Sequence, residues 1–113
     1  NYDAASVEAA CAVLRKAGLR EQVMIDCSHA NSAKQHRRQI DVAADVSAQL
    51  RAGERRIMGV MVESHLHEGR QELVAGRALL PGVSVTDACL GWDDTEPLLR
   101  QLAQAVADRR ARR

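Results

Sequence analysis

Apolar positions follow two different periods along the chain, and each change of period marks an element. Val7, Ala10, Cys11 and Leu14 lie three and four residues apart, the spacing of one helix face. They predict a first helix capped by Asp3 or Ser6, running to about Ala17, with Gly18 as its stop. Val23-Met24-Ile25 is instead an unbroken run of β-formers, the pattern of a strand buried on both faces. Helical spacing returns at Ile40, Ala43, Val46, Ser47 and Leu50, predicting a helix from about Ala33 to Ala52 that Gly53 closes. Ile57-Met58-Gly59-Val60-Met61-Val62 is a second buried run. From Gly69 to Pro81-Gly82 the pattern is lost, and Gly, Pro and polar residues predict an irregular segment. A short hairpin is expected there, with Leu79-Leu80 and Val83-Ser84-Val85 about the Pro-Gly turn. Leu98, Leu99, Leu102, Ala105 and Val106 predict a last helix, capped by Asp94 or Thr95 with Pro97 in its first turn.

The order helix, strand, helix, strand, irregular loop or hairpin, helix is that of an α/β fold. A helix-containing connection between two strands requires parallel pairing and a right-handed crossover. The carboxyl ends of the two strands therefore share one edge of the sheet, about 5 Å apart if the strands are neighbours. The first strand leads into Asp26-Cys27-Ser28-His29-Ala30-Asn31, and the second into Glu63-Ser64-His65-Leu66-His67-Glu68. Acids, hydroxyls and imidazoles at the carboxyl ends of parallel strands are where α/β proteins place ligand groups. Asn31 and Ser32 also have a plainer reading as helix caps. His29, mid-loop among small residues, is open to either a functional or a structural role.

Composition narrows the class. The chain of 113 residues is long enough for one small domain, lacks Phe, and has only Tyr2 and Trp92 as aromatics. A net charge of +1 gives no ground for nucleic-acid binding. No apolar stretch is long enough to span a bilayer and no signal-peptide pattern opens the chain, so no membrane partner is expected. Three cysteines, Cys11, Cys27 and Cys89, are an odd count without disulfide spacing, which fits reduced, buried thiols of a cytoplasmic protein. Lys34, His36, Arg37 and Arg38 read as a solvated face that opposes the helix dipole, and Arg109, Arg110, Arg112 and Arg113 as a solvated terminus that complements it.

Three potential ligands come after strand-like segments: His29, Glu63 and Asp87. One imidazole and two carboxylates suit a divalent Mn, Fe, Co or Zn ion. A rival local set is His65, His67 and Glu68, in which the two histidines alternate on an extended segment. Glu63 pairing with an arginine, or Asp87 capping a turn, would be structural uses of the same residues.

Ile25-Asp26-Cys27-Ser28-His29-Ala30-Asn31 resembles the D-x-S-H-A-N motif of type I 3-deoxy-D-arabino-heptulosonate 7-phosphate (DAHP) synthases, or phospho-2-dehydro-3-deoxyheptonate aldolases. Gly59-Val60-Met61-Val62-Glu63-Ser64-His65-Leu66 and Thr86-Asp87-Ala88-Cys89-Leu90-Gly91-Trp92 resemble the next two motifs of that family, in order. Cys27 stands where the family often has Phe. The related 3-deoxy-octulosonate 8-phosphate synthases usually carry threonine at the position of Ser28, which ranks them second.

The resemblance implies the C-terminal third of a (β/α)8 TIM barrel, with residues 1–113 a single partial domain holding the last two βα units. It implies a transferase that condenses phosphoenolpyruvate with erythrose 4-phosphate, the first step of the shikimate route to aromatic amino acids. In that family a divalent metal is held by a cysteine, a histidine, a glutamate and an aspartate. The last three correspond to His29, Glu63 and Asp87, with His29 also on the phosphoenolpyruvate side and Asp87 on the erythrose 4-phosphate side. The family's cysteine ligand and phosphate-binding cations belong to a segment upstream of this one. Cys27 cannot replace that ligand, lying two residues back along the strand from His29 and roughly 7 Å deeper. This chain alone is therefore expected to be inactive and to bind metal weakly or not at all. A non-catalytic, self-associating metal-binding or structural module is the alternative from another class. Two strands cannot close a sheet, so a homo-oligomer is expected.

Overall fold

Two short parallel strands form the centre of the computed structural model, which describes residues 1–112. Strand β1 is Val23–Asp26 and β2 is Ile57–Met61. Helix α1, Ala4–Lys16, precedes β1; helix α2, Arg38–Arg51, connects the strands; helix α3, Trp92–Ala111, closes the chain. A single 3-10 turn, His29–Ser32, comes after β1. The parallel pairing expected from the length of the connection is present. Its register places Met24 opposite Gly59, Ile25 opposite Val60 and Asp26 opposite Met61, with a bulge at the first pair.

The helices cover one face of this sheet. Val7 and Cys11 of α1, Ile25 and Cys27, Val42, Val46 and Leu50 of α2, Ile57, and Ala105 of α3 form one apolar cluster. Ala43, Leu90 and Leu98 form a second, which joins α2 to α3. The expectation that both strands are buried on both faces is not met. Met24 is 62% exposed over Gly59, because within this chain nothing packs on that side, and Met58 is 67% exposed beside the bulge. All three cysteines are free and buried. No helix among the described residues is long and apolar enough to cross a membrane.

Four local expectations differ from the structure. Helix α2 starts at Arg38 rather than near Ala33, since Ala33 and Lys34 adopt left-handed φ values of 52° and 60° that no right-handed helix accommodates. Asn31 and Ser32 do not cap it: the Asn31 amide donates to the Asp26 carbonyl (2.8 Å) and the Ser32 hydroxyl to the His29 carbonyl (3.3 Å). Helix α3 starts at Trp92 with Gly91 at its cap, so Pro97 falls in the second turn. The Asp94 carboxylate is drawn off to Arg37 (2.9 Å), and the Thr95 hydroxyl donates back to the Gly91 carbonyl (2.9 Å). On α3 only Leu98 and Ala105 of the predicted apolar stripe are fully buried, and Leu99 is exposed. Arg113 of the basic terminus lies outside the described residues.

The hairpin about Pro81-Gly82 is also absent. The Gln71 side chain supplies what its ladder would have supplied, accepting from the Leu80 amide (2.9 Å) and donating to the carbonyls of Leu80 (2.8 Å) and Val83 (2.9 Å). The segment then returns to the sheet edge. Gly69 pairs with Cys89, and the Leu90 amide donates to the Glu63 carbonyl (3.0 Å). This return brings Asp87 to the ends of the two strands.

Candidate metal centre

His29 is positioned first, by its own backbone. It has a left-handed φ of 53°, uncommon for a residue with a side chain and concentrated at functional sites. The turn folds the imidazole back over the end of β1, where Nδ1 meets Asp26 Oδ2 at 2.9 Å. The other Asp26 oxygen accepts the Ser28 amide (2.8 Å), so the carboxylate is held at both oxygens. Nε2 then faces the interior of the cleft, 3.4 Å from Glu63 Oε1 and 3.6 Å from Asp87 Oδ2.

Glu63 lies two residues past β2, and its carboxylate accepts a hydrogen bond from the buried Ser28 hydroxyl. Asp87 arrives on the returning segment. One ligand atom from each of His29, Glu63 and Asp87 lies within 4.8 Å of the others. Among the described residues this is the one grouping of His, Cys, Asp and Glu with such geometry. The rival set does not assemble: His65 Nδ1 accepts the Leu66 amide, and Glu68 pairs with His36 (3.2 Å) and Arg37 (3.0 Å). Among the described residues Glu63 has no arginine partner at salt-bridge distance, so that structural use is not taken either.

The electrostatics fit a cation. The hydrogen bond that His29 donates to Asp26, then the Asp26 charge, and then the charges of Glu63 and Asp87 raise the His29 pKa above its usual value. Three carboxylates converge on one imidazole, an excess of negative charge that a divalent ion would neutralise. With its Nδ1 proton held by Asp26, His29 presents the Nε2 lone pair to the other two ligands, the carboxylate–histidine arrangement that orients metal-binding imidazoles. The donor set of one nitrogen and two carboxylates fits a divalent transition metal. Cys27 does not join it. Burial, with the nearby Asp26 charge, pushes its thiol up to about 11 and keeps it protonated.

The triad lines a cleft of about 360 Å³ that also receives Lys34, His36 and Arg70. Sequence reasoning assigned the first two to a solvated helix face. The left-handed turn at Ala33 and Lys34 is what directs them to the site, and neither residue type signals such a turn. Asp26, Ser28 and Gln39 were likewise not singled out as supports. For Asp26 and Ser28 a signal existed, since an acid three residues before a histidine and a hydroxyl beside it are usual orienting partners.

Residues 1–100 match the family model described as the DAHP synthetase I family. The chain belongs to that family. Among its relatives, the Phe-sensitive phospho-2-dehydro-3-deoxyheptonate aldolase of Escherichia coli K12 is 59% identical over 110 residues, 97% of this chain and 31% of that protein. The phospho-2-dehydro-3-deoxyheptonate aldolase of Haemophilus influenzae is 56% identical over 97% of this chain and 30% of its own length. A solved phospho-2-dehydro-3-deoxyheptonate aldolase from Francisella tularensis SCHU S4 superposes with a TM-score of 0.91 at 42% identity, covering 96% of this chain and 31% of that one. This DAHP synthetase I segment thus spans about 31% of the length of the curated relatives it matches. The three motifs that carried the resemblance all fall within the matched residues.

Proposed function

We propose that this chain is the metal-bearing C-terminal part of a DAHP synthase, the last two βα units of a (β/α)8 barrel. The whole enzyme condenses phosphoenolpyruvate with erythrose 4-phosphate to give DAHP and phosphate, at the entry to the shikimate route, in the cytoplasm. The observation that carries this reading is the convergence of His29 Nε2, Glu63 and Asp87 from three separate segments within 4.8 Å. Family membership supports the chemistry, because the curated relatives are named for that aldolase activity.

His29, Glu63 and Asp87 would hold the divalent ion, one of Mn, Fe, Co or Zn. When bound, it supplies Lewis-acid polarisation of the aldehyde oxygen and helps to orient the substrate. Asp26 keeps the His29 ring in one tautomer, and Ser28 pins one oxygen of Glu63. Asp87, with 68% of its side chain exposed, faces the open cleft where the aldehyde arrives. Lys34 and Arg70 give the same cleft a positive wall that suits the phosphate and carboxylate groups of the two substrates. Carbon 3 of phosphoenolpyruvate attacks the aldehyde carbon, water adds at carbon 2, and phosphate leaves. This segment alone holds neither the family's thiolate ligand nor its main phosphate-binding cations, so it is expected to be inactive by itself.

The test is phosphate release from phosphoenolpyruvate in the presence of erythrose 4-phosphate and Mn2+. The full-length enzyme carrying this segment should turn over, its His29→Ala variant should not, and the 113-residue chain alone should not. Turnover by the His29→Ala variant at wild-type rate would remove the triad from the reaction.

A further inference from the structure

Gln39 is a polar residue that is 0% exposed. It stands in the first turn of α2, on the same face as the buried Val42, Ala43 and Val46, where its amide is the polar group among apolar ones. Its side chain crosses to the end of β2 and makes two reciprocal bonds with one residue. The Glu63 amide donates to Gln39 Oε1 (2.8 Å), and Gln39 Nε2 donates to the Glu63 carbonyl (3.0 Å). The amide therefore presents one donor and one acceptor in the manner of a neighbouring strand's peptide unit.

The need for such a surrogate arises at the strand ends. The last main-chain bond from β1 is the Cys27 amide to the Met61 carbonyl (2.9 Å), after which β1 turns away into the His29 loop. Glu63 lies beyond that point, so its N–H has no strand partner. Buried main-chain donors without partners are costly. Gln39 satisfies it from α2, and the Leu90 amide adds a second bond to the carbonyl (3.0 Å). With Ser28 holding the carboxylate, Glu63 is fixed at its amide, its carbonyl and its side chain.

We infer that Gln39 is a positioning residue of the metal centre: by replacing the missing strand peptide at Glu63, it sets the placement of that carboxylate and so the affinity of the site for a divalent ion. It touches neither ion nor substrate. The inference rests on the proposed metal site. Buried supports of this kind change metal affinity by about 10–100-fold when lost.

The experiment uses the full-length enzyme and Mn2+ as the probe, with affinity read by calorimetry, ligand geometry by the electron paramagnetic resonance of the bound ion, and stability by thermal unfolding. Gln39→Met keeps length and volume but removes both bonds. It should weaken Mn2+ binding at least tenfold and alter the resonance of the bound ion. It should raise the Mn2+ concentration needed for half-maximal turnover, while kcat at saturating metal stays within about threefold of wild type. Gln39→Glu keeps an acceptor for the Glu63 amide but sets a carboxylate oxygen against the Glu63 carbonyl, so its Mn2+ affinity should also fall. If Gln39→Met does not fold, Gln39→Glu alone decides. Mn2+ affinity and resonance unchanged in the folded variants, whatever their melting temperatures, would overturn the inference and leave the metal site standing. Absence of His29-dependent Mn2+ binding in the wild-type enzyme would overturn the proposed metal site, and this inference with it.

Discussion

Ser47 lies fully buried in the middle of α2, and its hydroxyl has no hydrogen-bond partner among the described residues. An unpaired buried hydroxyl costs desolvation, and serine is a poorer helix former than alanine. Ser47→Ala should stabilise the fold by about 1 kcal/mol, seen as a higher urea midpoint at unchanged slope. The opposite behaviour is expected at Asp87. Its side chain is 68% exposed, and its nearest charged partner is His29 Nε2 at 3.6 Å. Asp87→Ala should leave unfolding within about 0.5 kcal/mol of wild type. In the full-length enzyme it should still lower metal affinity and turnover by at least about tenfold. Turnover near normal at saturating Mn2+ would take Asp87 out of the site.

Between elements, the end of the sheet opposite the metal centre is tied by two guanidinium groups. Arg56 forks onto Glu54 (2.9 Å and 2.8 Å) just before β2 and reaches Glu8 of α1 (2.8 Å), while Arg109 of α3 donates to the Glu54 carbonyl (2.8 Å). The hydrogen bonds from Arg56 hold the Glu54 carboxyl down at about 2, below its ordinary 4.5. A carboxyl whose pKa is depressed on folding binds fewer protons folded than unfolded. Its contribution is therefore fully present above about pH 4.5 and is lost as pH falls through about 2. Comparing Glu54→Gln with wild type by denaturant unfolding should show a stability deficit at pH 7 that closes below pH 3. A deficit independent of pH would mean that the ion pair is not its source.

At the scale of the molecule, the chain is a slab of 56 × 32 × 18 Å with a radius of gyration of 16.5 Å. A closed domain of this length would have roughly 13 Å. The thickness is that of one sheet and one helix layer, and the uncovered sheet face carries Met24. Both sheet edges are also open, since the sheet has two strands. The 113-residue chain by itself should therefore self-associate through this face or these edges, burying more than ~1,600 Å² in total. Sedimentation at micromolar concentration checks it: a dimer or larger species is expected. A compact, cooperatively unfolding monomer would show that the helices alone close a sufficient core.

Sequence alone determined the elements, because their signals are short-range. The spacing of Val7 and Cys11, the run at Ile25, the spacing of Ala43 and Leu50 and the run from Ile57 each report local period, and the helix between the runs requires parallel strands. That was enough to place His29 and Glu63 at one sheet edge. Tertiary structure alone decided the rest of the site. Asp87 reaches His29 because a segment without periodicity returns to Glu63 through the Gly69–Cys89 pairing and the Leu90 amide; its residues make it a candidate ligand, but no local period there fixes where it lies. Ala33 and Lys34 are ordinary helix formers that adopt left-handed conformations here, which brings Lys34 and His36 to the cleft. A helical projection puts Gln39 on the buried face of α2 with Val42, Ala43 and Val46, but gives no partner for its amide. That partner is the peptide group of Glu63, which loses its strand neighbour only after the two strands have diverged.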